Sequence, residues 1–304
     1  MRRALVLRTF KGAARAWWDD DCTRLGASLA FYTLFAIGPV LLAATSIAGM
    51  VFGAEAVHGE IVAQLDHLVG REGALTVQSL LAAAAQRPSG VLATLTGAIT
   101  FLLASTGAFL ELQVALNTIW RVKPRPTGYL YAFVMDRLRS FGLVVAIGFL
   151  LLVSLAITAA LAAFNAWLFK MSPANAMLWN IVNTLVSIVV TTGLFAMLFR
   201  FLPDMRLRWR DVWTGAVVTA LLFTLGQQVI GWYLGQSTIV AGYGAAGSMM
   251  ILLLWVYYSC QILLFGAEFT RVWAARHGVK VKPEEFAVKD PEAVHPKSAL
   301  TEAK

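Results

Sequence analysis

Two carboxylates sit inside stretches that are otherwise apolar: Glu111 in TGAFLELQVALNTIW and Glu268 in LLFGAEFTRVW. A carboxylate in hydrocarbon is expensive, so each must pair, accept hydrogen bonds, face a wet cavity or reach the headgroup level. For Glu111 two readings stand side by side, a coupling site on a transport route and a structural contact between helices. Its carboxylate is expected to face the interior of a helix bundle, close to amide side chains. Glu268 lies three residues before Arg271, which favours a local salt bridge or cap.

The amides form a second group. Gln113 and Asn117 follow Glu111, Gln227 and Gln228 interrupt a later apolar block, and Gln261 interrupts the last one. Taken singly, each reads as glue between helices, worth about 1 kcal/mol or less in lipid. Taken as a set, they point to a shared polar interior. Conventional catalysis has no foothold. The four histidines, His58, His67, His277 and His295, form no HExxH motif, and Cys22 and Cys260 are too far apart for a metal knuckle. GAEFT is not a nucleophile elbow, and no phosphate-binding GxxxxGK[ST] loop is present. No catalytic residue, metal or cofactor is therefore expected, and the chain reads as a protein that is not an enzyme.

The elements that must position these groups follow from composition. Of 304 residues, 59% are hydrophobic and 14% charged, and the apolar residues come in long blocks divided by short basic segments. Blocks above about twenty residues span a bilayer as helices. The reading is an all-α, polytopic six-helix bundle with spans near 25–52, 91–119, 138–164, 177–202, 212–234 and 247–272, since none shows the alternation of a barrel strand. Residues 1–24 read as a basic, amphipathic cytoplasmic segment without a cleaved signal peptide, 25–272 as the transmembrane domain and 273–304 as a flexible cytoplasmic tail. Residues 53–90 mix charge with helical apolar spacing and read as an extracytoplasmic hairpin, either interfacial or wholly outside the bilayer. Four glycines, Gly235, Gly242, Gly244 and Gly247, precede the last span, as a tight turn or a re-entrant element.

Charge sets the orientation. With the N-terminus inside, 22 of the 25 lysines and arginines are cytoplasmic, leaving Arg71, Arg87 and Lys170 outside. An odd number of spans would destroy that separation. Nine of ten tryptophans fall near predicted span ends, Trp255 being the exception expected inside the bundle. The net charge of +8 sits in the short connections, which favours anionic phospholipid over nucleic acid as its partner.

In combination, LGASLAFYTLFAIGPVL, TGAFLELQVALNTIW, FLPDMRLRWRDVWTGAVVTALLF and YGAAGSMMILLLWVYYSCQILLFGAEFT resemble the YihY/virulence-factor BrkB family of bacterial inner-membrane proteins, over about residues 17–272. The resemblance implies a six-helix inner-membrane protein and singles out Tyr32, Pro39, Asn117, Trp120, Pro203, Arg208, Trp209, Arg210, Asp211, Tyr243, Gly244, Gly247 and Glu268 as family-pattern positions. It implies no agreed activity. Some members carry a ribonuclease label, which this sequence undermines because it shows no metal-carboxylate or acid-base constellation. The family's association with envelope integrity and lipopolysaccharide export brings lipid handling forward. Three function classes follow: a transporter or lipid-translocation factor, a noncatalytic envelope scaffold recruiting lipid-export proteins, and an ion channel. A homo-oligomer is compatible with each.

Overall fold

The computed structural model describes residues 2–36, 107–124, 176–236, 245–277, 282–283 and 287–289. Helix α1 covers Arg2–Asp19. The chain is again helical over 22–36, here α2, and over 107–120, here α3. Strand β1 is Val122–Pro124, helix α4 is Ala176–Phe201, β2 is Met205–Arg206, α5 is Trp209–Gln236 and α6 is Ala245–Arg276. Two short strands follow, β3 at Lys282–Pro283 and β4 at Ala287–Lys289. The predicted hairpin at 53–90, the span at 138–164, and Pro39, Tyr243 and Gly244 lie outside the described residues.

The helix ends have local causes. Between α1 and α2, Asp21 adopts a left-handed backbone with φ 52°, and its carbonyl accepts the Arg24 and Leu25 amides at 2.9 and 3.1 Å, opening α2. Helix α3 ends the same way, with Arg121 at φ 57° and its N–H on the Thr118 carbonyl. Helix α4 stops two residues before Pro203, which has no N–H with which to continue it. Helix α5 restarts with Asp211 in its first turn, where a carboxylate complements the positive end of the helix dipole.

Among the described residues, three helices are long and apolar enough to cross a membrane, over Thr184–Phe201, Trp209–Ile230 and Met249–Arg276. Their exposed faces agree with a lipid solvent. On α5, Trp209, Trp213, Val217, Leu221, Leu225 and Val229 recur every fourth residue and all are exposed, while Val212, Ala216 and Ala220 are buried. At 1.5 Å per residue that stripe is about 30 Å long, the thickness of the hydrocarbon core. In water such a stripe would be an unpartnered apolar face; in lipid it is the ordinary outer surface.

The helices contribute to two compact units. One contains α1 as far as Ala13, α3 from Leu116, α4, α5 as far as Leu222, α6 from Gly266, and the strands. The other contains the rest of α1, α2, α3 up to Ala115, and the remaining lengths of α5 and α6. In the first, Phe10 meets Phe269 with ring centroids 5.1 Å apart, and the Arg276 guanidinium donates to the Arg8 carbonyl at 2.9 Å. The start of α1 is thereby fastened to the end of α6.

The described residues are mostly helical, with two short antiparallel strand pairs besides. Strand β4 pairs antiparallel with β1, setting Lys123 across from Val288, and β3 pairs antiparallel with β2. Val122 and Ala287 are both buried, which gives the first pair an apolar anchor. These pairs bring together the chain that follows α3, α4 and α6. Connections that the charge pattern assigns to one membrane side thus meet at one end of the unit.

Reporter fusions after Lys11, in the 121–139 connection, in the 200–210 connection and after Arg276 are accordingly expected to read as cytoplasmic. One reproducible extracytoplasmic signal from an inserted protein would break that topology.

Candidate functional site

The carboxylate Glu111 belongs to the second unit. The Ser28 hydroxyl of α2 donates to Glu111 Oε1 at 2.5 Å, and the side chain is half-buried next to buried Leu112. Its partner is therefore a neutral hydroxyl rather than the amides expected from the sequence, and among the described residues it pairs with no cation. In the same unit, Gln261 Nε2 donates to the Thr23 carbonyl at 3.4 Å, while Gln261 Oε1 is buried without a donor. Gly26 makes room for that amide, since a Cβ there would overlap it. Trp255 sets its ring edge-on to Phe223 with centroids 6.5 Å apart, and its indole N–H is buried without an acceptor. Gln113 is buried, Gln227 half-buried and Gln228 exposed. Tyr32 is exposed on α2, against the backbone of Gly107.

The remaining amide works in the other unit. Asn117 Nδ2 donates to Asp204 Oδ2 at 2.8 Å, and the Asp204 N–H donates to Asn117 Oδ1 at 2.9 Å. This reciprocal clamp holds the end of α3 to the connection between α4 and α5. Glu111, Asn117 and Gln261 therefore have separate partners among the described residues.

The connection beyond the clamp is basic and ordered. Arg200 Nη1 donates to the Leu207 carbonyl at 2.6 Å, and its guanidinium lies over the Trp209 ring at 4.7 Å from the centroid. From Met205 to Arg208 the chain alternates: Met205 and Leu207 are buried, Arg206 and Arg208 exposed. Arg210, Trp209 and Trp213 are exposed as well, while Trp120 and Pro203 are buried and Asp211 is half-buried. Gly247 lies in the first turn of α6.

Glu268 is fully buried and forms the salt bridge that its spacing from Arg271 suggests, receiving Nε at 3.0 Å and Nη2 at 2.7 Å. It lies on α6 between Gly266 and Thr270, the two residues with which that helix meets α5 closely. Gly215 faces Thr270 and Gly266 faces Thr219, and a Cβ on either glycine would overlap the facing hydroxyl. Each threonine turns that hydroxyl to its own helix, Thr219 to the Gly215 carbonyl and Thr270 to the Gly266 carbonyl, both at 2.7 Å. Sequence reasoning missed this crossing although its signal was present, because GAVVT at 215–219 and GAEFT at 266–270 repeat one small-xxx-small pattern. Ser28 and Asp204 were missed too, and neither stands out from its neighbours by type.

Among the described residues no group of three or more His, Cys, Asp or Glu is placed to hold a metal ion. What the geometry defines is a polytopic helical membrane protein with a half-buried carboxylate in one unit and a folded basic end in the other. The family model described as "Virulence factor BrkB" matches residues 13–290, and the chain belongs to that family. A UPF0761 membrane protein of Verminephrobacter eiseniae is 31% identical over 258 residues, which cover 83% of this chain and 58% of the relative. One from Ralstonia nicotianae is 28% identical, covering 84% and 56%, and one from Rhodospirillum centenum is 27% identical, covering 90% and 59%. The chain thus spans less than two thirds of the length of these relatives. No solved structure matches it.

Proposed function

We propose that the protein is a six-span factor of the bacterial inner membrane, with both termini cytoplasmic, that moves anionic lipid between the two leaflets. The observation that carries this reading is Glu111: a carboxylate within an apolar helix, half-buried, held by a serine hydroxyl and by no cation among the described residues. Structural glue at such depth is normally closed off by a partner of opposite charge, whereas a group that meets a passing cation, proton or headgroup must stay accessible. The exposed arginines 206, 208 and 210, flanked by Trp209 and Trp213, supply a collecting surface for anionic headgroups on the cytoplasmic side. The reading assigns no catalysis and no cofactor.

The test is scrambling of labelled phospholipid in sealed vesicles containing the purified protein. Anionic lipid is expected to move faster than zwitterionic lipid, and Arg206→Gln, Arg208→Gln and Arg210→Gln together are expected to remove the preference and the enrichment of anionic lipid around the protein. No movement above empty vesicles would reject translocation. It would favour the second reading, a noncatalytic scaffold recruiting envelope or lipid-export partners, for which the ordered strands at the basic end offer a defined surface.

A further inference from the structure

The outward faces of α2 and α3 meet along a seam that carries Glu111. On α3, Gly107, Glu111 and Val114 lie three or four residues apart on one face; Val114 is exposed and the other two are half-buried, while Leu112, Gln113 and Ala115 are buried. Helix α2 repeats the pattern. Arg24, Tyr32 and Phe35 are exposed and Ser28 is half-buried along one side, with Leu25, Gly26, Leu29 and Ala30 buried on the other. Ser28 bonds Glu111 and the Tyr32 ring lies against Gly107, so four residues forward on α2 match four back on α3 and the helices run antiparallel. Glu111 thus sits in a seam that opens outward.

Two charged groups here keep unused bonding capacity. Ser28 donates to Glu111 Oε1, whereas among the described residues nothing donates to Oε2, and that oxygen is not sealed from its surroundings. Arg24 precedes Ser28 by one turn, about 6 Å along the axis, and among the described residues its guanidinium makes no ion pair. The carboxylates nearest to it in the chain do not neutralise it: Asp19 pairs with Arg15, and Asp20 and Asp21 have contacts that leave the Arg24 side chain out. They do lower the local positive potential, so Arg24 offers one directed set of donors rather than a basic patch.

We propose that this seam is a headgroup site for an anionic phospholipid whose substituent carries hydroxyl donors, as phosphatidylglycerol does. Arg24 donates to the phosphate, and the open oxygen of Glu111 accepts from a headgroup hydroxyl. Exposed Phe31 and Phe35, in contact on α2 with ring centroids 4.8 Å apart, give the acyl chains an apolar surface beside it. A phosphate with no donor beyond it would leave Glu111 facing an anion and unpaired. The seam therefore discriminates between lipids of equal charge, which the exposed arginines 206, 208 and 210 do not. The inference rests on the reading that this protein handles anionic lipid, but it requires no translocation.

The test offers the purified full chain an equal mixture of phosphatidylglycerol and phosphatidylmethanol, which carry the same charge and differ in the headgroup hydroxyls. Retained lipid is counted by native mass spectrometry, in a background of Arg206→Gln, Arg208→Gln and Arg210→Gln that removes the competing basic surface. Phosphatidylglycerol is expected to be retained about fivefold over phosphatidylmethanol, the scale of one net hydrogen bond. Glu111→Gln keeps the contact with Ser28 but loses the charged acceptor, so the ratio should fall to about twofold or less. Arg24→Gln, at an exposed position, should weaken retention of both lipids. Equal retention of the two lipids, an unchanged ratio in Glu111→Gln, or undiminished retention in Arg24→Gln would each overturn the proposal. Lost flux with this selectivity preserved would strike the translocation reading alone.

Discussion

Alanine at Gly215 or at Gly266 is expected to destabilise the protein by about 1–3 kcal/mol, the range for forcing an extra carbon into a closed contact. The larger valine is expected to prevent accumulation of folded protein. A Cβ on Gly215 would overlap the Thr270 hydroxyl and lie 2.8 Å from the Thr270 Cβ and 3.2 Å from its Cα. One on Gly266 would overlap the Thr219 hydroxyl, with the Thr219 Cβ and Cγ2 each 2.8 Å away. Neither threonine can swing aside easily, since both are fully buried and bonded to their own helix. Helices in lipid gain little from apolar burial against one another, so close backbone approach through small residues is a main source of their association. Thermal unfolding in detergent measures the effect. Removing the obstructing hydroxyl in Gly215→Ala with Thr270→Ala should restore part of the loss, while Thr270→Ala alone should cost less than Gly215→Ala. Wild-type stability in both single glycine variants would mean that the crossing is looser than described.

The second large effect is expected at the clamp between α3 and the α4–α5 connection. Asn117→Ala removes a donor from the Asp204 carboxylate and the acceptor of the Asp204 N–H together. One of these bonds involves a charged group, so the loss is about 2–4 kcal/mol. Asn117→Asp should be no better, because it sets a second carboxylate against the first. The exchanged pair, Asn117→Asp with Asp204→Asn, restores a donor facing an acceptor and should recover most of the loss. A double-mutant cycle on unfolding free energy reads this directly, and additive effects would show that the two side chains are uncoupled.

How far the sequence announced this structure depended on range. Predicted spans at 177–202, 212–234 and 247–272 became Ala176–Phe201, Trp209–Gln236 and Ala245–Arg276, because long apolar runs in lipid leave helix as the only open structure that satisfies its own backbone. Helix α6 outruns its apolar block because Trp273 stacks on Phe269 and Ala274 is buried, contacts that hydropathy does not register. The Glu268–Arg271 pair was legible because three residues along a helix bring two side chains together. Asn117 and Asp204 are 87 positions apart, and Ser28 and Glu111 are 83 apart, so nothing local links either pair. The strands in the tail were hidden for another reason. Two- and three-residue elements carry no periodicity, and proline with lysine in KVKP reads as punctuation rather than as strand.

The most direct test of lipid movement through this fold is phospholipid flux per correctly folded molecule, compared between wild type and Glu111→Gln in sealed vesicles across a pH range. Glutamine keeps most of the volume and leaves an oxygen to accept from Ser28, so folding should survive. It removes the ionisable charge, so flux is expected to fall at least about tenfold, equivalent to ~1.4 kcal/mol on the barrier, and its pH dependence to change. Equal flux per folded molecule with an unchanged pH profile would contradict a coupling role for Glu111 and leave it as a contact between α2 and α3.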